Sequence, residues 1–308
     1  MPLSVALDVD PGIDDALAIM LALRSPELRV ELITTVAGNG PLQMTTRNAL
    51  RVLHYMGVDD IPVHAGAERP LRAPFHGALG YHGQDALGNS SIPDSPRAPC
   101  QSPASDALYC FASAAPGERV IIATGPLTNV ALAFQSYPDL PIKLKELVIM
   151  GGAFRLTPFG TGNETSYAEF NIWQDPEAAE SVFQAPVPIS VVSLDVSNDP
   201  STGLNRTDVE RLRAAESSVA QLAGDLAAYI FARHDVFLLH DPLAVATTLN
   251  PALFEFARGQ VHIQTGEHAY RGMTEFCENL QEGHVSVARQ VNAAAFKQLV
   301  MDRLMEVR

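Results

Sequence analysis

Nearly continuous apolar runs alternate along the chain with segments whose apolar residues recur at helical spacing. The runs have the length of strands buried on both faces, and they cover residues 4–10, 30–37, 120–124, 147–150 and 189–196. The helical patterns between them cover residues 14–24, 42–56 and 127–135. This alternation predicts parallel βαβ units, and therefore an α/β fold with an open, mostly parallel, doubly wound (Rossmann-like) sheet flanked by helices.

The pattern changes in two long stretches rich in Gly, Pro and polar residues, 65–103 and 151–169. Loops of this length in a compact domain are usually functional. Helical patterns return at 208–233 and 241–248, followed by strands near 254–265 and 285–291 and a final helix at 293–305. Because no repeat or linker interrupts the chain, we expect a single domain over residues 1–308.

Composition narrows the class of partner. The formal net charge is −14, with 35 acidic and 21 basic residues, whereas a nucleic-acid surface needs a basic stripe. Three cysteines are too few for a disulfide framework, the first residues do not resemble a signal peptide, and no apolar run reaches the length of a membrane span. We therefore expect a cytoplasmic protein that binds a small molecule, with no nucleic-acid or membrane partner.

Four aspartates follow the first predicted strand. Asp8 and Asp10 are two residues apart and point to one face of the sheet, while Asp14 and Asp15 open the next helix. Like charges this close raise one another's pKa, and a helix N-terminus offsets only about 1 kcal/mol per charge. Capping explains one such residue but not four. The cluster therefore predicts a divalent cation, and oxygen ligands favour Ca²⁺ or Mg²⁺.

Three other segments carry polar residues whose roles the local sequence pattern does not decide. Asp241 precedes a proline that opens a helix, so capping alone could explain it. Glu169 and Asn171 are two apart, and their side chains point the same way if the segment is extended. Thr124 lies in a common type of strand-to-helix turn.

Taken together, these segments resemble the inosine-uridine-preferring nucleoside hydrolase family. The first block is DVDPGIDDA at residues 8–16. The other blocks follow in the family's order as far as residue 243: TVAGN (35–39), HG (82–83), ATGPLTN (123–129), MGG (150–152), Asn163, AEFN (168–171) and HDPL (240–243). Several blocks are specific by themselves, and their shared order argues strongly against coincidence.

The resemblance implies the nucleoside hydrolase fold and hydrolysis of the N-glycosidic bond of ribonucleosides to free base and ribose. It implies Ca²⁺ held by Asp10, Asp15, Asp241 and the backbone carbonyl of Thr124. Asp14 matches the family's general base, which takes a proton from the attacking water, and Asp8 would support the site from behind. The implied ribose ligands are Asn39, the Met150 backbone, Asn163, Glu169 and Asn171. His240 and His82 would lie beside the leaving base, with His240 as its proton donor.

Some points stay open at this stage. Phe159 could stack on a base, and Tyr229 and Arg233 lie one helical turn apart in a segment that could reach it. Purine and pyrimidine substrates cannot be separated from the sequence, and the resemblance implies a homodimer or homotetramer. Three rival functions are a haloacid dehalogenase-type phosphatase, a non-catalytic Ca²⁺-dependent ribose-binding protein, and a hydrolase of a modified or non-nucleoside ribosyl substrate.

Overall fold

Strands and helices alternate along the chain in the computed structural model, which describes residues 1–279, 281 and 283–307. The strands are β1 (Leu3–Val9), β2 (Leu28–Thr35), β3 (Val63–Ala65), β4 (Arg119–Ala123), β5 (Leu144–Met150), β6 (Ile189–Val192), β7 (Phe254–Ile263), β8 (Thr274–Glu278) and β9 (Val285–Val291). The helices are α1 (Ile13–Arg24), α2 (Leu42–Tyr55), α3 (Leu79–His82), α4 (Ala104–Ala114), α5 (Thr128–Ser136), α6 (Leu140–Lys143), α7 (Phe170–Gln174), α8 (Pro176–Phe183), α9 (Leu194–Ser197), α10 (Arg206–Arg213), α11 (Ser218–Ile230), α12 (His240–Leu249) and α13 (Ala293–Met305).

All nine strands belong to one sheet, in the order β3-β2-β1-β4-β5-β6-β9-β7-β8. The pairs from β3 to β9 are parallel, and β7 pairs antiparallel with both β9 and β8. The predicted mostly parallel, doubly wound sheet is therefore confirmed. The strand order reverses between β1 and β4, and ligands in such sheets bind in the crevice beyond the carboxyl ends of the strands at that point.

The sheet separates two apolar cores because successive side chains of a strand point to opposite faces. In β1, Val5 and Leu7 enter one core and Ala6 enters the other. The first core is completed by α1, α11, α12 and α13, and the second by α4, α5 and α8. Strands buried on both faces have few polar positions, which is why they are nearly continuous apolar runs in the sequence.

Four local expectations were wrong. The strand expected at 189–196 ends at Val192, and α9 begins two residues later. The helix expected at 208–233 is two helices, because Ser217 accepts a hydrogen bond from Ala220 N and caps α11. The loop expected at 65–103 contains the short helix α3. Strand β8 was not expected, because it lies at the sheet edge and is mostly exposed, so it has little apolar periodicity.

Candidate active site

A cavity of about 370 Å³ lies beyond the carboxyl ends of the central strands. Asp14 reaches it from the first turn of α1, Asn39 from the segment after β2, Thr124 from the end of β4, and Met150 from the end of β5. These residues are far apart in sequence but adjacent in space, because parallel strands end at one edge of the sheet. The site therefore lies at the crevice that the strand order defines.

Three carboxylates cluster at one side of this cavity, and two of them, Asp14 and Asp241, line it. Asp14, Asp15 and Asp241 are buried, and each offers an oxygen within 4.8 Å of the others. Burial, and after it the charge of Asp15, raises the pKa of Asp14 to about 7. Burial and then the charges of Asp14 and Asp15 hold the pKa of Asp241 well above its usual range. The site is thus costly to ionise without a compensating positive charge.

Asp10 lies beside the three-carboxylate group rather than within it. Its Oδ2 accepts a 2.7 Å hydrogen bond from Asn39 N. A Cβ at Gly38 would lie 2.0 Å from this oxygen, and one at Gly125 would lie 2.6 Å from the other carboxylate oxygen. The glycines therefore leave the space that the Asp10 carboxylate occupies. Of the implied metal ligands, the structure brings Asp15 and Asp241 together directly and places Asp10 at their side.

The donor set fits a hard divalent cation. Its members are carboxylates, and Asp14 Oδ1 is buried with no hydrogen-bond partner among the described residues. The Thr124 carbonyl accepts a 2.7 Å bond from Asn171 Nδ2, and the Thr124 hydroxyl donates to Asp15 Oδ1 at 2.8 Å. A carbonyl oxygen has a second lone pair, so that bond leaves Thr124 able to serve as a ligand. Oxygen donors of this kind are those that Ca²⁺ and Mg²⁺ prefer.

Asp8 is a further buried carboxylate, close enough to Asp10 to raise the pKa of Asp10. Oδ1 of Asp8 accepts hydrogen bonds from Thr34 Oγ1 at 2.6 Å and from Asn129 Nδ2 at 2.8 Å. Burial raises the pKa of Asp8 to about 6, although these two bonds act in the opposite direction. Asn129 also accepts a bond from Ala67 N, so it ties the end of β1 to the long loop that follows β3.

The wall opposite α1 carries the residues expected to hold ribose. Glu169 is the N-cap of α7 and accepts the backbone N–H groups of Asn171, Ile172 and Gly152. The condition of an extended segment is not met beyond Glu169, because α7 begins at Phe170. Glu169 and Asn171 nevertheless both line the cavity, together with Asn163, whose Oδ1 accepts Phe170 N at 3.0 Å.

Two imidazoles form the third wall, the buried His82 and the half-buried His240, and their ring nitrogens have different partners. His82 Nδ1 accepts the Ile13 backbone N–H at 3.1 Å, so this neutral ring carries its proton on Nε2. His240 Nδ1 lies 2.8 Å from Ser197 Oγ, a hydroxyl that can either donate or accept. Burial lowers the pKa of His82 to about 3 and that of His240 to about 4.

Helix α2 fixes the loop that carries His82. Asn48 Nδ2 donates to the carbonyls of Pro11 and Asp85, and the buried Arg51 donates to the carbonyls of Ser90 and Ile92. These bonds connect the turn after β1 with the segment after His82. The imidazole is therefore held against the first turn of α1, with Nδ1 4.0 Å from Asp14 Oδ1.

Sequence reasoning missed several residues of the third wall. Tyr81 lines the cavity, with its ring centroid 4.9 Å from that of His82 and 5.4 Å from that of His234. His234, Val236 and Leu238 also line it, from the segment between α11 and α12. The only available signal was proximity in sequence to His82 and His240, because aromatic and apolar residues in loops carry no motif.

The three candidates for contact with the base, Phe159, Tyr229 and Arg233, are not among the described residues that line the cavity. Phe159 is 37% exposed on the loop after β5. Arg233 lies over the Tyr229 ring, donates to its hydroxyl at 3.1 Å, and also donates to the Gly80 carbonyl. The Tyr229–Arg233 pair therefore contacts α3 through Gly80, and neither residue belongs to the described lining of the cavity.

The profile described as inosine-uridine preferring nucleoside hydrolase matches residues 5–298. This chain belongs to that family. A similar curated relative is the pyrimidine-specific ribonucleoside hydrolase RihA of Citrobacter koseri, which is 38% identical over 99% of this chain and 98% of its own length. This nucleoside hydrolase is therefore an N-glycosidase.

Solved structures agree with the family and with the fold. A structure described as the plant nucleoside hydrolase PpNRh1 has a TM-score of 0.92 and 34% identity, with full coverage of both chains. The purine-preferring ribonucleoside hydrolase from Gardnerella vaginalis has a TM-score of 0.91 and 29% identity over 98% of both chains. The nucleoside hydrolase fold is thus confirmed. Within the described residues, no helix has the length and apolar content needed to cross a membrane.

The close approach of Gly38 to Asp10 gives a first prediction. Gly38→Ala would place a methyl group against Asp10 Oδ2 and displace the carboxylate, so we expect the affinity for the divalent cation that this donor set fits, measured by calorimetry, to fall about 10–100-fold. Gly80→Ala is the matched control, because a Cβ there meets nothing within 4 Å of the described structure. Equal affinities in the two variants would contradict the role of Gly38.

Proposed function

We propose that this nucleoside hydrolase is Ca²⁺-dependent and cleaves ribonucleosides by attack of water on C1′ of the ribose. The observation that carries the proposal is one cavity whose lining has two members of a buried three-carboxylate cluster and two neutral imidazoles. Asp10, Asp15, Asp241 and the Thr124 carbonyl would hold the cation. When bound, Ca²⁺ would orient the water and the ribose hydroxyls and stabilise negative charge near them.

Asp14 is the proposed general base. Its Oδ1 is buried at the cavity wall, and its raised pKa of about 7 is near the value that suits proton abstraction around neutral pH. A cation beside it would lower that pKa, so the value describes the site before metal binding. In this role Asp14 accepts the proton that the attacking water loses.

The ribose-binding wall supports the same reaction. Cleavage of an N-glycosidic bond passes through an oxocarbenium-like ribosyl cation, which fixed carboxylate and amide oxygens stabilise. Asn39, Met150, Asn163, Glu169 and Asn171 surround the place where the sugar would lie. Because Glu169 is already bonded to three backbone N–H groups, it needs little reorganisation when the charge develops.

His240 is the proposed proton donor to the leaving base. The Ser197 hydroxyl can accept from Nδ1–H or donate to Nδ1, so either nitrogen of His240 can carry a proton. His82 lacks this freedom, because a backbone N–H always occupies its Nδ1. We therefore assign His82 as a neutral Nε2–H donor to the base. His240 would take up a proton from water, pass it as an imidazolium to the departing base, and return to the neutral ring; its lowered pKa makes the imidazolium a strong acid.

Pyrimidine ribonucleosides are among the expected substrates, because the relative from Citrobacter koseri is named pyrimidine-specific. The structural neighbour from Gardnerella vaginalis is named purine-preferring, so purine ribonucleosides belong in the same assay. The single domain, cytoplasmic location, homo-oligomeric assembly and base stacking by Phe159 stay predictions. Family membership excludes the phosphatase alternative, and no observation on the described residues favours the ribose-binding or modified-substrate alternatives.

The test of this function is reducing-sugar release from a panel of purified purine and pyrimidine ribonucleosides, with and without a calcium chelator. We expect ribose from at least one of them, loss of release on chelation, and recovery when Ca²⁺ is added back. Release that persists after exhaustive chelation would contradict metal dependence. Absence of release from every member of the panel would contradict the function itself.

Asp14→Ala should lower kcat by about 10²–10⁴-fold, because it removes the proton acceptor. Circular dichroism should show an intact fold, since the lost side chain lies at the cavity wall. The matched control is Asp225→Ala on an exposed surface, where the carboxylate only pairs with Arg213. Equal kcat values for the two variants would remove Asp14 as the base.

His240→Ala should reduce hydrolysis of a ribonucleoside far more than hydrolysis of a nitrophenyl riboside, whose leaving group needs no proton. We expect a difference of about 10²-fold between the two losses in kcat/KM. Equal losses on both substrates would indicate that His240 positions the substrate without protonating the base.

A further inference from the structure

The Asp, Glu, Lys and Arg side chains in the described lining of the cavity are all acidic. The acidic residues that line it are Asp14, Glu164, Glu169 and Asp241, and no Lys or Arg belongs to the lining that the structure describes. Three of these carboxylates are buried: Asp14 and Asp241 belong to the carboxylate cluster, and Glu169 belongs to the set expected to hold ribose. Glu164 is different, because it is exposed at the cavity mouth and has no role in the proposed chemistry.

A tight turn holds the backbone of Glu164 at the start of α7. Glu164 N and Thr165 N both donate to the Ala168 carbonyl, at 3.2 and 3.3 Å. The neighbouring Asn163 side chain accepts Phe170 N. Burial is the main cause of the raised pKa of Glu169, and the charge of Glu164 adds to it, so the two carboxylates are within electrostatic reach of each other.

The proposed function fixes which part of a nucleoside lies next to Glu164. The base lies against His82 and His240, and the 2′- and 3′-hydroxyls face Asp15 and Asp241. The 5′ carbon is attached to C4′, which lies across the ring oxygen from C1′, the carbon that carries the base. With the base and the two hydroxyls placed in this way, the part of the described lining left for the 5′ substituent includes the Asn163–Glu164 turn and Glu169.

This end of the cavity is unsuited to a phosphate. Proteins bind phosphate groups with Arg or Lys, or with free N–H groups at a helix N-terminus. The α7 N-terminus faces the cavity here, but the Glu169 carboxylate already accepts the N–H groups of Asn171 and Ile172. Among the described residues that line this end, a 5′-phosphate would thus meet two carboxylates and no Arg or Lys. Arg155 lies outside the lining, where its guanidinium stacks on the Tyr167 ring and donates to the Ser166 carbonyl.

We propose that Glu164 is a specificity-determining residue that disfavours nucleosides with an anionic 5′ substituent, so that the enzyme selects nucleosides over nucleotides by charge. The inference rests on the proposed function, because that function orients the substrate. A 5′-phosphate is close to a dianion near neutral pH, so its repulsion by an added carboxylate extends over several ångströms. Salt screens this repulsion, since Glu164 is exposed.

The test compares kcat/KM for three substrates: the ribonucleoside that is hydrolysed fastest, its 5′-monophosphate, and its 5′-amino-5′-deoxy analogue, which is cationic. The kcat/KM of each analogue is divided by the kcat/KM of the parent nucleoside, so a general loss of activity cancels from the ratio. The variants are Glu164→Gln and the control Glu118→Gln. Glu118 is exposed just before β4, at the amino end of this strand, whereas the cavity lies beyond the carboxyl ends. Its replacement removes the same charge from the protein.

In Glu164→Gln we expect the monophosphate ratio to rise about three- to tenfold and the 5′-amino ratio to fall by about threefold. Glu118→Gln should keep both wild-type ratios, and added salt should move the wild-type ratios towards those of Glu164→Gln. The two analogues carry opposite charges, so a charge effect shifts their ratios in opposite directions, whereas a steric effect shifts them in the same direction.

Unchanged ratios in Glu164→Gln, with normal hydrolysis of the parent nucleoside, would overturn the inference and leave the proposed function intact. Ratios that rise together for both analogues would also overturn it, because they would indicate a steric effect. If no unmodified ribonucleoside is hydrolysed, the proposed function fails and this inference fails with it.

Discussion

Mutual repulsion among buried carboxylates is the constraint on which this site depends. Asp10, Asp14, Asp15 and Asp241 converge at the strand crossover of the sheet, where burial makes each charge costly. Part of the compensation comes from the protein. Asp15 accepts hydrogen bonds from Gly12 N, Asp10 N and the Thr124 hydroxyl. These bonds leave several carboxylate charges uncompensated, and a divalent cation would supply the remainder.

The same constraint explains why the cavity has two chemically different halves. The half around Asp14 and Glu169 is acidic, which suits a sugar that becomes cationic during bond cleavage. The half around His82 and His240 is neutral and partly aromatic, which suits a base that is uncharged before it departs. A nucleoside has a sugar that becomes cationic at one end and an uncharged base at the other, so the charge distribution of the cavity favours one orientation of the substrate. The acidic half also makes the ribose end intolerant of further negative charge, which is the basis of the role inferred for Glu164.

The sequence predicted those parts of the structure that depend on short stretches of chain. The alternation of apolar runs and helical patterns predicted the parallel sheet, because strands buried on both faces must be apolar throughout. The four aspartates of residues 8–15 were recognisable as a cluster, because a strand, a tight turn and a helix start place them together within eight residues. The alternation of polar and apolar residues around Glu169 did not reveal that its side chain caps a helix, because helix caps depend on single residues and not on a repeating pattern.

The sequence by itself determined the layered fold, the acidic end of β1 and, through the ordered blocks, the family. Only the tertiary structure decided which distant side chains meet. Asp241 joins Asp14 and Asp15 because α12 packs against α1, and Ser197 reaches His240 because α9 lies beside the start of α12. Tyr81 and His234 share a wall although no motif connects them. Contacts of this kind depend on how helices pack over the sheet, a property of the whole chain that local patterns do not contain.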